Sequence, residues 1–173
     1  RTGVTYSKSI NMNGGSDKGT YYLSLSDVSA NSHIPNNKYR RTTAKMSGSA
    51  SISEKIRAQG SVTYTKSGGD RIQQGSNLSG VMLGLVRTPP SFDNANHYDD
   101  PVDEPLAYSF PDGTQRNYRG GGGYDNPYWT VNKNILTDNV NRVIASATFD
   151  YKPWEWMTVT YRLGNDFYND RRD

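Results

Sequence analysis

Alternation of apolar and polar side chains over six stretches of about ten residues constrains this chain more than any other feature. In 39–52 the even positions are Ala44, Met46, Gly48, Ala50 and Ile52, and the odd ones are Thr43, Lys45, Ser47, Ser49 and Ser51. Segment 56–66 repeats the pattern, with Ile56, Ala58, Gly60, Val62 and Tyr64 against Arg57, Gln59, Ser61, Thr63 and Thr65. Successive side chains of a strand point to opposite faces, so each segment has a greasy side and a wet side. A tilted strand of roughly 9–11 residues is also long enough to cross a bilayer.

The same alternation places strands at 4–13, 20–29, 140–151 and 156–168, giving four strands within 1–66 and two within 139–173. Lys8 interrupts the apolar face of the first segment, which predicts snorkelling or a bulge there. Between the two groups lies an irregular stretch, 67–138, in which Ser76 is expected to cap a short helix over 76–87 that stops before Pro89-Pro90. Connections alternate in length: short at 14–19, longer at 30–38, short at 53–55, very long at 67–138 and short at 152–155. Outer-membrane barrels do the same, with short periplasmic turns and long extracellular loops.

A mean hydropathy of −0.85 and 33% hydrophobic residues are poor material for a water-soluble core of this size. Thirteen Tyr and three Trp against four Phe favour aromatics that sit between wet and apolar surroundings. The absence of Cys removes disulfides and thiolate metal sites, and a net charge of +3 spread along the chain gives no argument for nucleic acid. No apolar run reaches the roughly 20 residues of a transmembrane helix, and Arg1-Thr2-Gly3 opens no signal peptide. The expected fold is therefore all-β: an antiparallel transmembrane barrel segment of about six strands with one long extracellular loop. Such an arc cannot close alone, so the chain is expected to be a piece of a longer polypeptide.

The run Ile10-Asn11-Met12-Asn13-Gly14-Gly15-Ser16-Asp17-Lys18-Gly19-Thr20-Tyr21-Tyr22, followed by Lys38-Tyr39-Arg40-Arg41 and then Asn126-Pro127-Tyr128-Trp129, resembles the early barrel of SusC/RagA-type TonB-linked outer-membrane transporters of Bacteroidetes. The resemblance covers nearly the whole chain, and its specificity lies in the order of these motifs around the long loop. It implies a large plugged barrel of about twenty-two strands. It also implies import of oligosaccharides or peptides driven by TonB, and a SusD-like surface lipoprotein as lid. Plug, TonB-contacting segment and C-terminal strand are not found among these residues.

Aromatics of the long loop, Tyr98, Tyr108, Phe110, Tyr118, Tyr124, Tyr128 and Trp129, are candidates for stacking on cargo or partner, or for packing the loop on itself. Lys45, Arg57, Arg142, Asp150, Arg162 and Asp166 are expected to face the lumen, because Arg or Lys on a lipid face near the midplane costs about 2–4 kcal/mol. Trp154 and Trp156 flank a short turn and suit a periplasmic aromatic girdle. His33 and His97 lack a second ligand at helical spacing, and Asp99-Asp100-Pro101-Val102-Asp103-Glu104 lacks the glycine of a Ca²⁺ loop, so neither predicts a metal site. Arg119 with its following glycines has no Lys-Ser/Thr and no helix after it, which leaves a flexible link rather than a phosphate cradle. No nucleophile–base arrangement or singled-out carboxylate pair predicts an enzyme, and no cofactor is implied. A secreted β-sandwich that binds carbohydrate, a surface glycoside hydrolase and a passive porin remain the alternatives, the first disfavoured by the small residues Ala44, Gly48, Ala50, Ala58 and Gly60.

Overall fold

The computed structural model describes residues 2–95, 108–110, 112–120 and 123–173. Six antiparallel strands form one sheet in chain order: β1 (Val4–Ser16), β2 (Gly19–Asn31), β3 (Lys38–Ser53), β4 (Ile56–Arg71), β5 (Leu136–Trp154) and β6 (Met157–Arg172). Among the described residues two short helices, α1 (Val81–Arg87) and α2 (Pro127–Lys133), lie in the long connection, and 9% of those residues are helical. None of the helices among the described residues is long and apolar enough to cross a membrane.

Every strand runs longer than its alternation predicts. The register explains both the extra length and the exception at Lys8. On one face Ile10, Leu25, Ala44, Tyr64, Val143 and Phe167 form a row across all six strands, and Met12, Leu23, Met46, Val62 and Ala145 form the next. Further rows continue through Gly48, Gly60, Ala147 and Leu163 to Ile56, Tyr151 and Val159. In the other direction the apolar rows stop at once, at Lys8, Asp27, Thr42, Lys66, Asn141 and Asn169. Lys8 thus pairs with Asp27 in continuous register with no bulge. The strand outlasts the apolar band, so Lys8 and Asp27 are members of one polar row.

The opposite face is hydroxylated and charged. Thr20 and Ser49 hydroxyls meet at 2.8 Å, and those of Ser61 and Ser146 at 2.9 Å. Ile144 is an aliphatic exception on this face, in a row with Lys45 and Thr63, and Val28 and Val140 are two more, in the row of Arg41 and Ser67. Three connections are two residues long, Asp17-Lys18, Glu54-Lys55 and Glu155-Trp156, and all lie at one end of the sheet. The predicted turns at 14–19 and 152–155 therefore shrink, because the strands absorb Gly14-Gly15-Ser16 and Trp154. Tyr21 lies over Gly14, where a Cβ would meet its ring carbons at 2.8 Å, so the glycine makes room for the aromatic neighbour.

Both longer connections, 32–37 and 72–135, lie at the other end. They share the buried core among the described residues: Ile72, Val81 and Val131, with Ile34 packed against them. Asn36, at φ 57°, donates from Nδ2 to the Val131 carbonyl at 2.9 Å and to Asn132 Oδ1 at 2.8 Å, tying the two connections together. The helix expected over 76–87 begins only at Val81. Ser76 does not cap it; its Oγ accepts from the backbone N–H of Leu78 and Ser79 and closes a separate turn. Helix α2 was not anticipated, although Asn126-Pro127 is an N-cap followed by proline at the first helical position.

Candidate functional site

Asn126 organises the long connection. Its side chain is 1% exposed; Oδ1 caps α2 by accepting from Tyr128 N–H at 2.8 Å, while Nδ2 donates to the carbonyls of Asn94 at 3.0 Å and Arg116 at 2.7 Å. Its backbone N–H donates to Gln115 Oε1 at 2.6 Å, and the Gln115 amide donates to Asp125. One residue therefore joins the start of α2 to two otherwise separate loop segments. Gly84 of α1 lies against Asp125 and Pro127, where an added Cβ would meet each at 3.2 Å. The helices approach closely because nothing projects there.

Around this knot the predicted aromatics separate into small groups instead of one platform. Tyr124 lies between two guanidinium groups, Arg87 at 4.3 Å and Arg119 at 4.6 Å from its ring centre. Tyr118 meets Phe92 edge-on at 6.4 Å, and Phe92 in turn carries the Arg116 guanidinium at 4.5 Å. Tyr108 packs edge-on against Trp129 at 6.3 Å. Phe110 and Tyr128 are the exposed rings of the set, each 38% accessible. Tyr98, His97 and the acidic run 99–104 lie outside the described residues. Arg87, Phe92, Arg116 and Asn126 escaped the sequence reading, and only Asn126 had a local signal, the proline after it.

A turn at 112–114 follows Phe110. Asp112 Oδ1 accepts from the Thr114 hydroxyl and from the Thr114 N–H, and these two donors hold the Asp112 carboxyl below its usual range. Gly120 and Gly123 both take positive φ, a conformation that favours glycine at each position.

The six charged residues expected to face the lumen all lie on the polar side of the sheet. Arg142 chelates Asp166 through Nε and Nη2. Asp150 accepts from Thr160 at 2.7 Å and stands opposite Arg57. Arg162 stands opposite Thr148, and Lys45 lies 5.9 Å from the Tyr22 ring centre. Toward the turn end this face carries an open hollow of about 950 Å³, lined by Asn13, Tyr22, Ser49, Arg57, Gln59 and Thr148 among others. Its chemistry is hydrogen bonding and charge. Among the described residues no group of three His, Cys, Asp or Glu side chains is placed to hold a metal ion.

Beyond the apolar band, the loop end carries ion pairs: Lys38–Asp70 at 2.8 Å, Arg40–Asp27 at 3.0 Å, and Arg71 chelating Asp138. At the turn end Trp154 and Trp156 stack at 5.7 Å with planes 9° apart, both well exposed. No family model matches this chain, and no curated protein sequence matches it.

Proposed function

We propose that this chain supplies six wall strands and one large outer loop to a TonB-dependent outer-membrane importer of oligosaccharides or peptides that works with a SusD-like surface lipoprotein. The observation that carries the reading is the apolar band, which crosses one face of all six strands and has no second layer of the described residues packed on it. Roughly a dozen large side chains lie exposed there, among them Ile10 at 69%, Leu25 at 51% and Phe167 at 63%. Covering them is worth on the order of 10–20 kcal/mol at about 1–2 kcal/mol each, as much as the whole stability of an ordinary domain. Such a face belongs against hydrocarbon or another sheet.

Its dimensions favour hydrocarbon. From Val143 to Tyr151 the band runs about 27 Å along the strand at about 3.4 Å per residue, or about 21 Å of height at a tilt of roughly 40°, close to the apolar band of about 25 Å on outer-membrane barrels. The polar row at Lys8 and the stacked tryptophans at 154 and 156 bound it at its two ends. A sandwich partner sheet would instead meet a shallow centre of Ala44, Gly48, Ala50, Ala58 and Gly60, with little to interdigitate. The other face, with its hydroxyls, ion pairs and hollow, is the water-filled or plug-facing interior. β1 and β6 are the edges of the described sheet, and further strands pair with them to close the wall. The connection 72–135 then stands outside, available to cargo and lipoprotein, and no catalytic step is assigned to it. The test is phase partition of the whole protein carrying this chain, followed by uptake of labelled oligosaccharide or peptide. Recovery in the detergent phase and uptake lost with TonB are expected; recovery in the aqueous phase overturns the reading in favour of a soluble carbohydrate-binding protein.

A further inference from the structure

We infer that the loop end of the apolar face binds an anionic, phosphate-bearing lipid, with Lys8, Arg40 and Lys66 on the headgroup and the groove below them on an acyl chain. The inference rests on the membrane reading above and goes beyond it in naming a lipid class and a site. Lys8, Asp27, Thr42 and Lys66 stand in one row on β1 to β4, and Arg40 lies two residues beyond Thr42 on the same face. These are three cations and one carboxylate. Asp27 is engaged at the centre, accepting from Arg40 Nε at 3.0 Å and from the Thr42 hydroxyl at 2.7 Å. Lys8 and Lys66 flank that centre, and neither is in an ion pair among the described residues.

Arg40 and Lys66 are diagonal neighbours on adjacent strands, a separation of about 7–8 Å between backbones, so both side chains reach one phosphate. They line a cavity of about 420 Å³ together with Thr42, Gly68 and Asn139. Gly68 carries no side chain into this lining, and a Cβ there would overlap the Asp138 carbonyl of the next strand. Asp138 also lines this space, but its carboxylate is chelated by Arg71. Immediately below, in the first two apolar rows, a groove of about 490 Å³ runs along Ile10, Leu25, Ala44, Met46, Val62 and Tyr64. Cationic cavity above and hydrocarbon groove below match the two ends of one amphiphile. A water-soluble anion would use only the upper part, and an uncharged lipid only the lower.

Native mass spectrometry of the whole protein, purified in neutral detergent and offered phosphatidylglycerol and phosphatidylcholine with identical acyl chains, tests the site. Preferential retention of phosphatidylglycerol by about thirtyfold is expected, the share two cations at a membrane surface contribute at about 1 kcal/mol each. The double variant Lys8→Gln/Lys66→Gln should bring the ratio close to one, while Arg57→Gln on the opposite face leaves it unchanged. Excess glycerol phosphate should displace nothing. Equal retention of both lipids by the unaltered protein, persistence of the preference in the double variant, or displacement by glycerol phosphate alone overturns the site. Phase partition separates the two failures: an aqueous protein removes the membrane reading and this site together, whereas a detergent-phase protein without headgroup preference removes the site alone.

Discussion

Asn126 concentrates three jobs in one buried amide: it caps α2, holds the Asn94 carbonyl and holds the Arg116 carbonyl. Asn126→Ala removes the cap and leaves two carbonyls short of a donor, at a cost of about 2–4 kcal/mol. The expected outcome is faster amide exchange in 78–134 with the six strands still protected. Asn126→Asp keeps the cap acceptor but sets carboxylate oxygen against the Arg116 carbonyl, so it should destabilise the connection nearly as much. Gly84→Leu should do similar damage by prising α1 from Pro127, read by the same exchange experiment. Asp112 gives a pH signature of its own. Because its folded pKa is depressed by the Thr114 donors, the turn gains stability above the ordinary aspartate range and loses it as pH falls through the depressed value. Chemical shifts of Thr114 should report that loss below pH ~4.

At the scale of the strand, position within the band decides what a charge costs. Lys8 already lies in the polar row, so Lys8→Leu should leave the folded fraction in detergent almost unchanged. Ala147→Arg puts a guanidinium between Gly60 and Leu163 in mid-band and should destabilise the wall by about 2–4 kcal/mol, measured by denaturant unfolding in detergent or vesicles. Alternation in the sequence was enough to place every strand and both faces, since period two assigns each residue a side. It treats Lys8 as a defect of one strand, because a single strand does not reveal that its interruption falls in one row with Asp27 of the next. The strand ends lie outside the alternation for a related reason: 67–71 is polar with two glycines, 136–139 is Leu-Thr-Asp-Asn, and their pairing is visible only in the register. The connection was least legible, since Arg87, Phe92 and Arg116 are brought to their aromatic partners by contacts far apart in sequence.

For the molecule as a whole, the order of layers along the strands predicts depth. Trp154 and Trp156 should lie near a headgroup boundary on the side of the short turns, and Arg40 and Lys66 near the opposite one. Brominated lipids offer the check: bromines close to the headgroup should quench Trp154 and Trp156 fluorescence in the reconstituted protein more strongly than bromines at the acyl terminus. The reverse order would remove the girdle assignment.

The small core of Ile34, Ile72, Val81 and Val131 lies wholly within the two connections and borrows nothing from either face of the sheet. The outer structure thus keeps its own account of stability, and it is tethered to the wall at the strand ends Asn31 and Lys38 for the shorter connection and Arg71 and Leu136 for the longer. Such an arrangement is modular: mutation can remodel the 72–135 surface, or a crossover can exchange it between related walls, without disturbing strand register. Recognition and barrier are then free to diverge at different rates within one chain.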